Sequence, residues 1–199
     1  DNKAGTRISS NSKKRQDEDF TLWKATNVGI NWESPWSNGR PGWHTECVVM
    51  IREVLGNEID IHGGGIVLQF PHHENENAQS LGCGCELSKY WMHNGFININ
   101  DEKMSKSIGN IKNLKDMIAQ YGANVVRLVM FQTNYRQPIN LSDEFLTQTT
   151  ALNLKFSNIY DKLKENKSDD LNNSHIKKIN EILANDFNTS NAITYILEI

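Results

Sequence analysis

The chain has 199 residues, 38% of them hydrophobic and 23% charged, enough to bury a core in one domain or two small ones. Its 21 Lys and Arg against 24 Asp and Glu leave a formal charge of -3, which excludes a protein that coats nucleic acid through bulk charge. No apolar run approaches the roughly 20 residues of a membrane span, and three cysteines are too few for a disulfide framework, so a reducing, cytoplasmic setting is expected.

Residues 1–19 are rich in Ser, Asn and Lys, with charge runs, and read as a linker or flexible loop. Phe20 to Lys24 is the first apolar patch. A loop follows through Trp32, Pro35, Trp36, Gly39 and Gly42, a surface suited to closing over something. Val48, Val49, Ile51 and Leu55 keep a helical period that Gly56-Asn57 ends. Glu58 to His62 alternates as a short strand running into Gly63-Gly64-Gly65, and a helix is expected from Pro71 to Gly82 or Gly84. Phe96, Ile97 and Ile99 resume strand character, with Asn100-Asp101 as a turn. This rhythm is that of an α/β domain whose ligands sit beyond the strand ends.

After Asn110 the pattern is helical. Two helices broken at Gly122 precede a long amphipathic helix capped at Ser142 and carrying Asp143-Glu144 in its first turn. A polar linker from Asn166 to Ser174, a helix from Ile176 to Leu183 and a cap at Asn188 complete the chain. The expected organisation is a linker (1–19), the C-terminal half of a catalytic α/β domain (20–110) and an incomplete all-α domain (111–199). Both ends look cut, so the chain is expected to be a fragment.

Three constellations carry chemistry. In Glu102-Lys103-Met104-Ser105-Lys106-Ser107-Ile108-Gly109-Asn110, two ammonium groups, two hydroxyls and a Gly-permitted turn suit a multiply charged anion such as a triphosphate. The alternative is a solvated basic loop. On a helix, His72 and Glu76 share one face at i and i+4, and Cys47 lies 25 positions before His72. Thiolate, imidazole and carboxylate are zinc ligands, yet such pairs also decorate solvated helix faces, and Cys47 reads equally as a small buried hydrophobe. The triple glycine allows close backbone approach by a ligand or simply a tight turn. His62 and Trp43 belong to a pocket or to ordinary packing. Cys83 and Cys85, in Gly-Cys-Gly-Cys, read as a variable loop rather than a second metal site.

Taken in order, Pro41-Gly42-Trp43-His44-Thr45-Glu46-Cys47, Asp60 to Gly65, Phe70 to Glu76, Ala78-Gln79-Ser80, Trp91 to Gly95 and the lysine loop closely resemble the cysteinyl-tRNA synthetase family of class I aminoacyl-tRNA synthetases. Arg127-Leu128, Tyr135 to Ile139 and Asp186 to Thr189 fit the same pattern, so the likeness runs from about Phe20 to the end. It implies a Rossmann-type nucleotide-binding domain with parallel strands, followed by a helical domain. It implies Lys103 and Lys106 as catalytic groups in a loop that closes over ATP, with Ser105, Ser107, Gly64, Gly65, Gly95 and Phe96 bordering the nucleotide. It further implies Trp43 and His62 in the amino-acid pocket and Cys47, His72 and Glu76 as three of four Zn2+ ligands.

The substrates so implied are L-cysteine, ATP with Mg2+, and tRNA(Cys), acted on by a cytoplasmic monomer. Three features depart from the family pattern. Its His-Ile-Gly-His type signature does not occur in these residues, its fourth zinc ligand is a cysteine expected before Asp1, and Ile66-Val67 stands where an acidic residue is common. Two other readings remain: a related ligase joining cysteine to an amino-sugar, and a non-catalytic zinc or nucleotide-binding module.

Overall fold

The computed structural model describes residues 14–16, 18–164 and 174–199. The linker expected over 1–19 lies mostly outside the described residues. So does the one expected from Asn166, except that Ser174 already opens a helix. The chain divides into two compact units, 1–93 and 94–199.

In the first unit, β1 (Trp23–Ala25) pairs antiparallel with β2 (Gly39–Pro41), in register Trp23 to Pro41. The segment expected to stay a loop through Gly42 therefore returns as a strand, tied by mutual backbone hydrogen bonds between Trp32 and Gly39. Helix α1 (Trp43–Leu55) follows, burying Val48 and ending at Gly56, whose φ of 103° suits glycine. Strand β3 (Ile59–Gly65) pairs with β4 (Ser88–Asn94). The three glycines are thus the end of a strand and not a turn after it. Gly64 is needed there because a side chain would meet the His73 ring, at 2.9 Å from Cε1.

The helix expected from Pro71 starts earlier and is broken. Helix α2 (Ile66–Leu68) passes into a π-type turn over Gln69–His73, and regular winding resumes in α3 (Glu74–Gly82). The break is at Phe70, which is extended (φ -133°, ψ 130°), as the residue before a proline tends to be. The Phe70–Pro71 bond is cis. Helix α3 packs on α1.

The second unit holds a three-stranded sheet in the order β6–β5–β7: β5 (Ile97–Ile99) runs antiparallel to β6 (Glu102–Lys103) and parallel to β7 (Ile139–Asn140). Strands β4, β6 and β7 were not expected; β6 and β7 are two residues each, too short to show a period. Helices α4 (Leu114–Tyr121) and α5 (Ala123–Phe131) are separated at Gly122, which has φ 85°. Helix α6 (Asp143–Leu163) is capped by Ser142, whose hydroxyl accepts from the Phe145 amide at 3.1 Å. Helices α7 (Ser174–Ala184) and α8 (Thr189–Glu198) pack on each other, and Asn188 caps α8.

Met117, Val126, Val129, Ile139, Leu141 and Leu146 form the core here, with Ile97 and Ile99 packed against it. Ile97 and Ile99 thereby place β5 in the same compact unit as these helices. The strand leading into the lysine loop covers the helices' apolar face. No described helix is long and apolar enough to cross a membrane.

Candidate metal centre and lysine hairpin

Five of the six histidines gather in the first unit, on four different elements. Helix α1 contributes His44 and Cys47, β3 contributes His62, the kinked turn His72 and His73, and β4 His93. Glu76 at the start of α3 sits among them and is 1% exposed. Its two carboxylate oxygens face opposite ways. Oε1 is 2.9 Å from His72 Nε2, and Oε2 is 2.9 Å from His62 Nε2.

The interruption at Phe70 has a local consequence: it re-aims His72 and His73 while keeping His72 one turn before Glu76. Cys47 reaches the same place from α1, and one ligand atom each of Cys47, His72 and Glu76 lies within 4.8 Å of the others. His62, His73 and Glu76 satisfy the same criterion.

A second ring of histidines backs the first. His44 Nδ1 is 2.7 Å from His72 Nδ1, and His73 Nδ1 is 2.8 Å from His93 Nε2, so one ring of each pair donates to the other. Trp43 packs on His72 with ring centroids 4.2 Å apart, and Trp91 lies edge-on to His62 at 4.8 Å. His44, His73, His93 and Trp91 were not singled out from the sequence. All four lie within the motifs that carry the resemblance, Pro41 to Cys47, Phe70 to Glu76 and Trp91 to Gly95, and that was the signal available for them.

The electrostatics follow from burial. Desolvation pushes the Glu76 carboxyl up, but the His62 hydrogen bond and the fields of His72, His62 and His73 outweigh it and hold the group below the ordinary carboxylate range. Desolvation, with His62 adding, lowers His73 to about 4 against the counter-pull of Glu76. His44 is lowered by burial and by His72. The Cys47 thiol is raised by burial and by the Glu76 carboxylate. A divalent cation among these groups would reverse that last effect, favouring the thiolate and balancing the carboxylate. One thiol, one imidazole and one carboxylate form a donor set that fits zinc. An open cavity of ≈ 460 Å³ borders Trp43 and His44, with Phe20, Phe70, Lys24 and Arg40 also on its walls. Cys83 is exposed and Cys85 partly so; neither joins a metal-type group among the described residues.

The lysine segment lies in the second unit and carries hydrogen bonds of its own. Asn100 and Asp101 have φ of 49° and 67°, the left-handed pair that a two-residue hairpin turn requires. Lys103, on β6, faces Asn98 across the ladder, and its ammonium lies 4.1 Å from the centre of the Phe96 ring. The loop beyond is closed on itself. The Ser105 amide donates to Asn110 Oδ1 at 2.9 Å, the Asn110 side-chain amide donates to the Lys103 carbonyl at 3.3 Å, and Ser105 Oγ accepts from the Ile108 amide and lies 3.1 Å from Ser107 Oγ. The two hydroxyls thus face each other, while Lys106 and Ser107 are exposed. Gly95 has a structural duty of its own: a side chain there would run into the Gln137 carbonyl, and its amide donates to the Tyr135 carbonyl at 2.7 Å. Gly65 is under no such pressure, since a Cβ at that position would meet only a Val67 methyl, at 3.8 Å.

Residues 1–151 match the family model described as the catalytic domain of class I (C) tRNA synthetases. Cysteine–tRNA ligases of Bacillus cereus and Bacillus cytotoxicus are each 48% identical over 204 residues, covering 96% of this chain and 44% of the relative. The chain thus spans less than half the length of these relatives. Among solved structures, the LeuRS–tRNA–LeuAMS ternary complex of Agrobacterium radiobacter covers 84% of this chain and 28% of its own at 18% identity, TM-score 0.55. Methionyl-tRNA synthetase of Mycobacterium tuberculosis bound by methionyl-adenylate covers 69% and 31% at 19% identity, TM-score 0.52. Identities this low show a shared α/β fold with parallel strands and helices. Fold, family model and curated relatives agree: this chain belongs to the class I (C) tRNA synthetase catalytic-domain family.

Proposed function

We propose that the chain is part of a cytoplasmic cysteine–tRNA ligase, which activates cysteine with ATP and transfers it to tRNA(Cys). The observation that carries this reading is the meeting of Cys47, His72 and Glu76, three zinc-type donors from three elements, beside a cavity bordered by Trp43. The 48% identity to cysteine–tRNA ligases supports the same substrate.

Zinc would be held by Cys47, His72 and Glu76. When bound it supplies a preference for thiolate sulfur over hydroxyl oxygen, which separates cysteine from serine by ligand chemistry rather than by shape. Trp43 and His62 line the amino-acid pocket. His62 also braces Glu76 through their 2.9 Å contact, and His44 does the same for His72.

In activation, a carboxylate oxygen of the amino acid bonds to the α-phosphorus of ATP. The bond to the bridging oxygen breaks, and pyrophosphate leaves with that electron pair. Lys106 and Lys103 meet the charge that grows on the leaving group, and Mg2+ accompanies the nucleotide. The resemblance assigns Gly64 and Gly65 of the first unit, and Ser105, Ser107, Gly95 and Phe96 of the second, to the nucleotide.

The test is made on a protein of the relatives' full length carrying this segment. Zinc content by elemental analysis and ATP–pyrophosphate exchange with cysteine or serine are measured for the parent and for Cys47→Ser. Loss of zinc together with a reduced cysteine-over-serine ratio is expected. Unchanged zinc content removes Cys47 from the ligand set. Exchange that ignores cysteine, or transfer to an amino-sugar in place of tRNA, sinks the assignment.

A further inference from the structure

The hairpin that presents Lys103 is held from behind by a segment some 40 positions further along the chain. From Tyr135 to Ser142 the backbone runs along the far side of β5. The Gly95 amide donates to the Tyr135 carbonyl (2.7 Å), the Ile139 amide to the Phe96 carbonyl (2.8 Å) and the Leu141 amide to the Asn98 carbonyl (2.8 Å). At its end sits Asn140, whose carboxamide grips the hairpin turn twice. Its Oδ1 accepts from the Asp101 amide at 2.9 Å, and its Nδ2 donates to Asp101 Oδ1 at 2.6 Å.

Asp101 is a non-glycine residue at φ 67°, a turn conformation that aspartate adopts more readily than most residues, and Asn140 adds two hydrogen bonds that hold it there. At the segment's other end, Asp186 takes Arg136 in a bidentate pair (2.6 and 3.0 Å) and accepts from the Tyr135 hydroxyl at 2.9 Å. Asp186 and the following Phe187 also lie in the left-handed region, at 53° and 52°. Both ends of the segment are therefore fixed, one to the α7–α8 turn and one to the hairpin.

We propose that Asn140 is a positioning residue for the lysine loop: by clamping Asp101 it fixes the turn between β5 and β6, and through that turn the direction in which Lys103 leaves the sheet. The carboxamide is matched to the task, since one group must accept from an amide and donate to a carboxylate at once. An aspartate at 140 would keep the acceptor and set two carboxylates against each other. Exchanging the two residues, Asn140→Asp with Asp101→Asn, restores one donor and one acceptor at unchanged net charge.

The inference that this clamp matters to activation rests on the lysine-loop reading above; the clamp itself does not. Amide hydrogen exchange of the 199-residue chain therefore decides it. Asn140→Asp is expected to speed exchange of the Asp101, Met104 and Ser105 amides by about tenfold or more, with Val126 and Val129 unchanged, and the exchanged pair to return them to within about threefold of the parent. Parent-like rates in Asn140→Asp, equal loosening of Val126 and Val129, or failure of the exchanged pair to restore protection would each overturn the proposal. In the longer protein, Asn140→Asp is expected to lower kcat for cysteine-dependent pyrophosphate exchange about tenfold with the cysteine KM unchanged, again restored by the exchanged pair. Loosened amides with unchanged kcat would refute the lysine loop's part in activation, and leave the clamp standing.

Discussion

Among the described residues of the first unit most buried side chains are polar, His72, His73, Asn75, Glu76, Ser80 and Ser88, with Val48 and Leu87 the buried apolar ones. In the second, Met117, Val125, Val126, Val129, Ile139, Leu141 and Leu146 fill the interior, and Thr149 is the polar exception, bonded to Gln132 at 2.7 Å. An interior of the first kind is stabilised where its polar atoms find partners, as all but the Ser80 hydroxyl do, and it gains little from the hydrophobic effect. An interior of the second kind gains by apolar area and can carry a working segment on its rim. The metal-type cluster therefore is the first unit's core, while the lysine hairpin is an attachment to a core built of other residues.

That contrast can be broken from either side. Glu76→Gln is expected to have the largest effect, because the carboxylate serves two histidines and the candidate metal at once. Zinc affinity, read by chelator competition, should fall by more than the ~10–100-fold typical of an outer-shell change. An unchanged affinity would mean that the cluster is only a packed core. Leu146→Ala, at a residue 1% exposed, should lower the unfolding free energy by about 2–5 kcal/mol in denaturant while leaving zinc affinity intact. A matching loss of zinc would show that the units do not bury independent chemistry.

His44→Ala sharpens the picture within the first unit. With its 2.7 Å partner gone, His72 loses orientation, and zinc affinity should fall by about 10–100-fold, less than for Glu76→Gln. An equal or larger drop would promote His44 from bracing group to ligand.

The smallest expected effect is on the exposed Asp186 clamp. Hydrogen bonds from Arg136 and Tyr135 hold its carboxyl below the usual range. Its contribution is thus present above the unfolded pKa of about 3.9 and is lost as pH falls through the folded value. Asp186→Asn should melt below the parent near neutral pH and together with it in strong acid. A difference that persists in acid would remove charge from the explanation.

Much of the second unit was legible in the sequence, because its signals are local. Gly122 separates two helices, Ser142 and Asn188 cap two more, and Leu146 and Thr149 mark the buried face of α6. Its short strands were not legible, since two residues carry no period and β7 exists only because Ile139 and Asn140 meet Ile97 and Asn98 from some 40 positions away. In the first unit the helical spacing of His72 and Glu76 was readable, and the ordered motifs tied Cys47 to them. The glycine run allowed two readings, close approach by a ligand or a tight turn, and sequence alone could not show that a side chain at Gly64 would meet the His73 ring.

The chain's own letters determined its family and which residue types were available for a metal and a phosphate, because motif order and helical period survive in one dimension. Only the tertiary structure decided which histidines meet, that Glu76 stands between two of them, and that Asn140 holds the turn before Lys103. Those are contacts between elements far apart in sequence, set by how helices and strands pack, and no local propensity encodes them.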